Sequence, residues 1–526
     1  MHSVHVTQLN PVEFLKRSAH VYREKIAVVD GEIRRTYPQM LDRVYRLAHL
    51  LRNLGARSGD RVAVIAPNGQ LLLETHFAVP LAGAVLCAVN VRLMPDEIAY
   101  ILEHSGASIV LYDGEFEHLL SAYSTHPTLI RAGSGALEAL DFESAIGDST
   151  NDPMSSHVDD ENATISINYT SGTTGRPKGV MYSYRSVYLS ALADVFHANL
   201  RPESVYLWTL PMFHCNGWIF PWAVTAAGGT HVCLPKVEPS RVVELIELEG
   251  VTHLCGAPTV LVGIANHPGV KPFARPLHVM IGGAPPAPKT IEQMERLGAT
   301  ITHLYGLTET YGPFSVCAWK SPEWDELDFA ERARLKARQG VPTITNGPAV
   351  LRVVDEEMND VPADGQMQGE VVMRGNNVMK GYFNDPEATE KAFRRGYFHS
   401  GDVAVLHPDG YVEIQDRSKD VIISGGENVS SVQVEKTIME HPAVLEVAVV
   451  SKPDEQWGEV PKAFVTLKPD ARVTEAEIIA FCRERLPGFK TPKAVEFCDL
   501  PKTSTGKIQK FVLREREWAG LEKRVQ

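Results

Sequence analysis

The chain has 526 residues, 44% of them hydrophobic and 22% charged, a composition that excludes wholesale disorder at a length that predicts two or more domains. Its formal charge of −13 argues against a nucleic-acid backbone as partner, which would favour a basic face, while still allowing local cationic sites for small phosphorylated ligands. Seven cysteines, at 87, 215, 233, 255, 317, 482 and 498, form no CxxC pair and read as free thiols in a reducing compartment rather than a disulfide framework or a zinc site.

Met1 to Pro11 lacks the basic-then-apolar pattern of an export signal. The longest apolar run, around Phe77 to Val91, is interrupted by Pro80, Gly83 and Asn90 and is too short to span a bilayer. Arg524-Val525-Gln526 is not a peroxisomal address of the Ser-Lys-Leu type. These features predict a cytoplasmic protein with no transmembrane segment.

Over the first 150 residues, helix-like stretches near Tyr37–Leu54 and Pro95–His104 alternate with apolar strands at Arg61–Ala66 and Ala107–Tyr112, each closed by turn residues. Such alternation predicts layered α/β structure. A short strand, Ile165–Tyr169, then runs into Thr170-Ser171-Gly172-Thr173-Thr174-Gly175-Arg176-Pro177-Lys178-Gly179. Glycines allow backbone N–H groups to approach phosphate oxygens, hydroxyls add donors, and Arg176 and Lys178 neutralise charge. The string is not a Walker loop, because Lys178 follows a proline and precedes a glycine.

Further apolar strands at Val251–Cys255, Leu277–Ile281 and Ile301–Tyr305 end in Gly256-Ala257-Pro258, Gly282-Gly283-Ala284-Pro285 and Gly306. In open α/β sheets ligands sit beyond the carboxyl ends of strands, so these turns are candidates to build one site. Glu323–Arg338, dense in both signs of charge, predicts a solvated helix. Beyond Val350, short strands and tight turns predict a small β-rich subdomain. From about Asp416 a compact α+β unit follows, with strands at Val444–Val450, Ala463–Leu467 and Ala494–Cys498. A helix opening on the capping box Thr474-x-x-Glu477 runs to about Leu486. The predicted fold is thus α/β, with a large N-terminal domain over residues 1–416 and a small C-terminal domain over residues 417–526.

Four more strings carry chemistry: Tyr305-Gly306-Leu307-Thr308-Glu309-Thr310, Tyr397-Phe398-His399-Ser400-Gly401-Asp402, Asp416–Asn428 and Pro501–Ile508. With the Thr170–Gly179 loop they occur in the order and roughly the spacing of the adenylate-forming superfamily, which includes acyl-CoA synthetases, peptide-synthetase adenylation domains and beetle luciferases. The chain resembles that superfamily from Tyr169 to Lys507.

The resemblance implies an enzyme that uses ATP, Mg²⁺ and CoA as co-substrate to activate a small carboxylic acid through an acyl-adenylate. It implies ATP and AMP binding by Thr170, Ser171, Gly172, Thr173, Thr174, Gly175 and Lys178. Gly282, Gly283, Ala284 and Pro285 would line the adenine pocket, with Tyr305 and Gly306 against the base. Thr308 would contact the α-phosphate, Glu309 would hold Mg²⁺, and Asp402 and Arg417 would hold the ribose and nucleotide. Lys419 matches the hinge about which a mobile C-terminal domain turns. Gly425 and Gly426 match the CoA-side loop, and Lys507 matches the adenylation lysine. Some relatives are homodimers, so the resemblance allows a homodimer.

Leu210-Pro211-Met212-Phe213-His214-Cys215-Asn216-Gly217-Trp218 resembles the acyl-pocket segment of fatty-acyl, methylthiopropionyl and plant benzoyl-type CoA ligases. By that resemblance His214 gates the acyl and thiol paths, and Trp218, beside Gly217, lines or gates the acyl tunnel. A short- to medium-chain acid is the expectation. Long-chain or aromatic acids, a carrier-protein acceptor in place of CoA, and a non-catalytic acyl or nucleotide sensor are the competing readings.

Overall fold

The computed structural model describes residues 4–123, 127–170, 176–284, 286–503 and 507–519. It forms a mixed α/β molecule with a large N-terminal and a smaller C-terminal domain. Among the described residues there are four sheets, of nine, eight, five and five strands.

The eight-stranded sheet is parallel at its centre. Arg61–Ile65 lies between Val85–Ala88 and Ile109–Asp113, and Val85–Ala88 pairs in parallel with Thr164–Tyr169. These strands are buried on both faces and accordingly read as nearly unbroken apolar runs. Thr164–Tyr169 then turns back antiparallel into Gly179–Ser183. The pair is anchored at its open end where the Thr170 N–H donates to the Lys178 carbonyl at 3.0 Å.

The nine-stranded sheet places His253–Gly256, Leu277–Ile281 and Ala299–Leu307 side by side in parallel, so their carboxyl ends open on one edge. Helices Pro239–Leu248, Pro258–Ala265 and Pro288–Arg296 cover it through a core that includes Leu245, Leu261, Ile291 and Met294.

In the β-rich part, Tyr397–Leu406 pairs antiparallel with both Gln368–Met373 and Val412–Arg417. The register sets Asp402 directly across from Arg417, an opposite-charge cross-strand pair. The C-terminal sheet is built on Val444–Asp454 against Gly458–Leu467. It is packed by Ser431–Met439 and Glu475–Arg483 through Val434, Ile438, Val449, Val465 and Ile478.

Several sequence expectations need correction. The Glu323–Arg338 helix shrinks to Phe329–Lys336 and is not wholly solvated: Ala333 and Leu335 are buried. Buried Trp324 packs edge-on against Trp319 and Tyr411, and buried Arg338 pairs with Asp409 at 3.1 Å. The charges there disguise a small core. The helix opened by Thr474 keeps its capping box but stops at Arg483, short of Pro487. All seven cysteines are free, and six are buried.

Candidate active site

The carboxyl ends of the large-domain strands carry the motif residues to one region. Gly306 is fixed by close approach: a Cβ there would lie 1.8 Å from the Gly312 carbonyl oxygen, so only glycine lets the chain turn back into Gly312–Val316. Thr308–Thr310 forms a single tight turn in which the Thr310 hydroxyl accepts the Leu307 N–H at 2.8 Å and donates to the Gly312 carbonyl at 3.0 Å. Two tyrosines that the sequence did not single out brace this turn. The Tyr182 hydroxyl donates to the Thr308 carbonyl at 2.7 Å, and the Tyr382 hydroxyl donates to Glu309 Oε1 at 2.9 Å. Tyr382 also lies under the Lys178 ammonium, 4.8 Å from its ring centre, so it links Lys178 to the turn.

Glu309 retains acceptor capacity beyond the Tyr382 bond. One carboxylate is the protein contribution expected where Mg²⁺ takes its other ligands from phosphates and water. Among the described residues no group of three or more His, Cys, Asp or Glu side chains is placed to hold an ion by itself. The donor set fits a substrate-borne Mg²⁺.

Asp402 is buried, accepting from the Tyr305 hydroxyl at 2.7 Å and pairing with Arg417 Nε at 3.2 Å. Burial and then the Asp402 charge hold the Tyr305 phenol well above its usual range, so it stays a donor. Lys507 joins this group from the C-terminal domain. Surrounding protein, and next Arg417, push its ammonium down to about 8, while Asp402 and Cys215 pull it up. The side chain still meets solvent, and that water favours the cation at neutral pH. Lys507 in turn helps burial push His214 down to about 4, which leaves that imidazole neutral.

The segment after His214 has an unusual backbone. Cys215, Asn216, Gly217, Trp218 and Ile219 all have positive φ, between 42° and 74°, a cost of roughly 1–2 kcal/mol for each residue other than glycine. This left-handed turn lays Trp218 across two glycines. A Cβ on Gly282 would meet the indole at 2.8 Å, and one on Gly312 would meet the Trp218 backbone at 3.3 Å. Gly217 is held to glycine as well, because a Cβ there would lie 2.7 Å from the Trp208 ring. Trp218 is buried, at 7% exposure, and caps the end of the Leu277–Ile281 strand. The Cys215 thiol donates to the Thr308 hydroxyl at 3.5 Å, and burial pushes it up to about 12, so it is no nucleophile at neutral pH.

The structure thus brings Thr308, Glu309, Tyr305, Asp402, Arg417, His214, Trp218, Gly282 and Lys507 into one region. Gly283 (φ 85°) and Ala284 continue from the Gly282 turn. Ser171, Gly172, Thr173, Thr174, Gly175 and Pro285 lie outside the described residues. Lys419 lies next to the Asp402–Arg417 pair in sequence, and its carbonyl accepts from Arg514 at 3.3 Å. Gly425 and Gly426, with φ of 61° and 87°, form an exposed hairpin turn between Ile422–Ser424 and Glu427–Val429. The Gly425 N–H donates to the Trp457 carbonyl at 2.9 Å, and the exposed Trp457 ring crowds Gly425. These contacts lie within the C-terminal domain rather than with the Lys507 group.

A buried carboxylate held by Tyr305 and Arg417, met by a lysine from the C-terminal domain at the ends of the large-domain strands, is an arrangement consistent with the adenylate-forming class that the sequence resembles. The comparisons agree. The AMP-binding enzyme model matches residues 15–383, and the AMP-binding enzyme C-terminal domain model matches residues 433–507. The chain is 46% identical over 541 residues to an acetate–CoA ligase of Humulus lupulus, covering 97% of this chain and 95% of the relative. It is 45% identical over 533 residues to a 4-hydroxybutyrate–CoA ligase of Metallosphaera sedula, covering 98% and 96%. Among solved structures, an anthranilate CoA ligase in complex with anthranoyl-AMP superimposes with a TM-score of 0.87 at 26% identity, over 97% of this chain and 98% of that one. The protein belongs to the AMP-binding enzyme family and is an acyl-CoA synthetase, with ATP and CoA as substrates.

Proposed function

We propose that this enzyme makes the CoA thioester of a short-chain carboxylic acid, with medium chains at the edge of its range. The observation that carries the reading is buried Trp218, with its indole against Gly282 and its backbone against Gly312; in our reading this side chain ends the acyl pocket. On this reading an acid entering beside His214 would meet the indole early, which favours short chains. The names of the acetate and 4-hydroxybutyrate ligases support the same range, whereas the anthranilate enzyme shows that the fold also takes aromatic acids.

A carboxylate is a poor acylating agent because its leaving group would be oxide. Attack of its oxygen on the α-phosphorus of ATP expels diphosphate and gives an acyl-adenylate, from which AMP leaves readily. The protein's task is positioning and charge compensation. In our reading Thr170 to Lys178 hold the phosphates, Gly282 to Pro285 and Tyr305 flank the adenine, and Asp402 and Arg417 hold the ribose. Thr308 and Lys507 meet the developing charge on the α-phosphate. Mg²⁺, held at Glu309 and on ATP, would neutralise phosphate charge. Neutral His214 borders the carboxylate and the thiol path. In the second step the CoA sulfur bonds to the carbonyl carbon and the acyl–phosphate bond breaks, releasing AMP. We assign residues 1–416 and 417–526 to the two domains, and the pivot to Lys419.

Carboxylate-dependent ATP–diphosphate exchange across straight-chain acids tests this reading. The wild type is expected to peak between two and five carbons, and Trp218→Ala to move the optimum to longer acids. An unchanged optimum in Trp218→Ala would remove Trp218 as the selector.

A further inference from the structure

The left-handed turn that presents His214 and Trp218 requires an anchor, and Asn216 is the side chain placed to provide it. Asn216 is fully buried at the middle of the turn. Its Oδ1 accepts from Ser166 Oγ at 2.9 Å, and its Nδ2 lies 3.3 Å from His76 Nε2. The direction of the second bond follows from the far side of the ring. His76 Nδ1 sits 2.6 Å from the Leu72 carbonyl oxygen, which can only accept. Nδ1 therefore carries the proton, Nε2 offers its lone pair, and the Asn216 amide donates to it. Burial pushes His76 down to about 4, so the ring stays neutral and this pattern holds across the working pH range.

Both ends of the Asn216 amide are thus engaged, each by a different element. Ser166 belongs to Thr164–Tyr169, the strand that leads into the phosphate hairpin, and His76 to the helix Gln70–Leu81. Ser166 Oγ also lies 3.4 Å from the Tyr311 hydroxyl. The Tyr311 ring stacks on Tyr182 at 3.6 Å, and Tyr182 holds the Thr308 carbonyl. A chain of buried hydrogen bonds joined by one ring stack therefore connects the Cys215–Ile219 turn to the turn bearing Thr308 and Glu309.

We infer that Asn216, fixed by Ser166 and His76, is a positioning residue that holds the Cys215–Ile219 turn and so sets how far an acid penetrates beneath Trp218. The inference rests on Trp218 ending the acyl pocket. It assigns chain-length control to side chains that do not line that pocket.

Asn216→Gly provides the test. Glycine suits the left-handed backbone better than asparagine does, so this variant keeps the turn's conformational preference while removing both hydrogen bonds. The expected result is a KM for the preferred acid raised roughly tenfold, the size of a lost buried hydrogen-bond partner. The ATP KM should stay near wild type, and the exchange profile should broaden toward longer acids. Ser166→Ala should move the same quantities in the same direction by less. A wild-type profile and acid KM in Asn216→Gly would overturn the inference, since a left-handed backbone would then be all the position needs. Equal rises in the acid and ATP KM would overturn it too, as general damage. If Asn216→Gly fails to fold, Ser166→Ala decides: a shifted profile supports the anchor and an unchanged one refutes it. Failure of the short-chain reading would show separately, as a wild-type optimum at long or aromatic acids.

Discussion

Lys507 and His214 are titrating groups of the proposed site, and protein around them favours the neutral form of each. For Lys507 the cation is present below about 8 and is lost as pH rises through that value. Adenylation that uses the ammonium should therefore show an alkaline limb in kcat/KM, the parameter that reports the free enzyme. Lys507→Arg should abolish that limb even if it lowers the rate, because a guanidinium does not titrate there. A limb persisting in Lys507→Arg would assign it to another group. His214, pushed down to about 4, is already neutral at pH 6. No acid limb is expected near the ordinary histidine value, and one appearing there that vanishes in His214→Ala would contradict the buried neutral imidazole.

The element that sets the geometry is the hairpin from Ala299–Leu307 through Thr308–Thr310 into Gly312–Val316. Gly306→Ala would drive a methyl group into the Gly312 backbone, which has no flexible side chain to yield. The expected cost is about 1–3 kcal/mol of stability, read as a lowered Tm, with loss of exchange because Thr308 and Glu309 move with the hairpin. Unchanged stability would mean that the hairpin repacks freely.

Much of this element was legible in the sequence. A strand followed by Gly-Leu-Thr-Glu is a local pattern, and so is the hydroxyl-rich loop after Tyr169. What brackets them was not. Tyr382 reaches Glu309 across 73 residues, and Asn216 meets Ser166 and His76 across 50 and 140, so no local string announces these partners. Asn-Gly dipeptides favour turns in general, yet nothing local in the 215–219 stretch shows that five residues in a row are left-handed. The Glu323–Arg338 stretch misled for a related reason. Its charge pattern predicts a wet helix, but Asp409 lies far enough along the chain that the burial of Arg338 could not be read locally.

At the scale of the molecule, the two domains meet along the strand that carries Arg417. Arg417 pairs with Asp402, the Ser418 N–H and hydroxyl both donate to the Gly401 carbonyl at 3.0 Å, and Asp416 accepts the Ser431 N–H at 2.6 Å. In this arrangement Lys507 lies near Arg417 and Asp402 while the Gly425–Gly426 turn is exposed. In our reading one rigid placement cannot bring both to the reacting carbon, which is why we assign the pivot to Lys419. Lys507→Ala should accordingly lose adenylation by orders of magnitude yet still form thioester from supplied acyl-adenylate. Equal loss of both half-reactions would reject the division of labour.

The most direct test of the central claim follows AMP release by the intact enzyme with ATP, CoA and one acid at a time, from acetate to palmitate plus benzoate and cinnamate. CoA-dependent AMP release is expected to be greatest for acids of about two to five carbons and weak for palmitate and the aromatic acids. A maximum at palmitate or benzoate would contradict the Trp218-limited pocket. Exchange with diphosphate but no CoA-dependent AMP release for any acid would contradict the assignment of CoA as the acceptor.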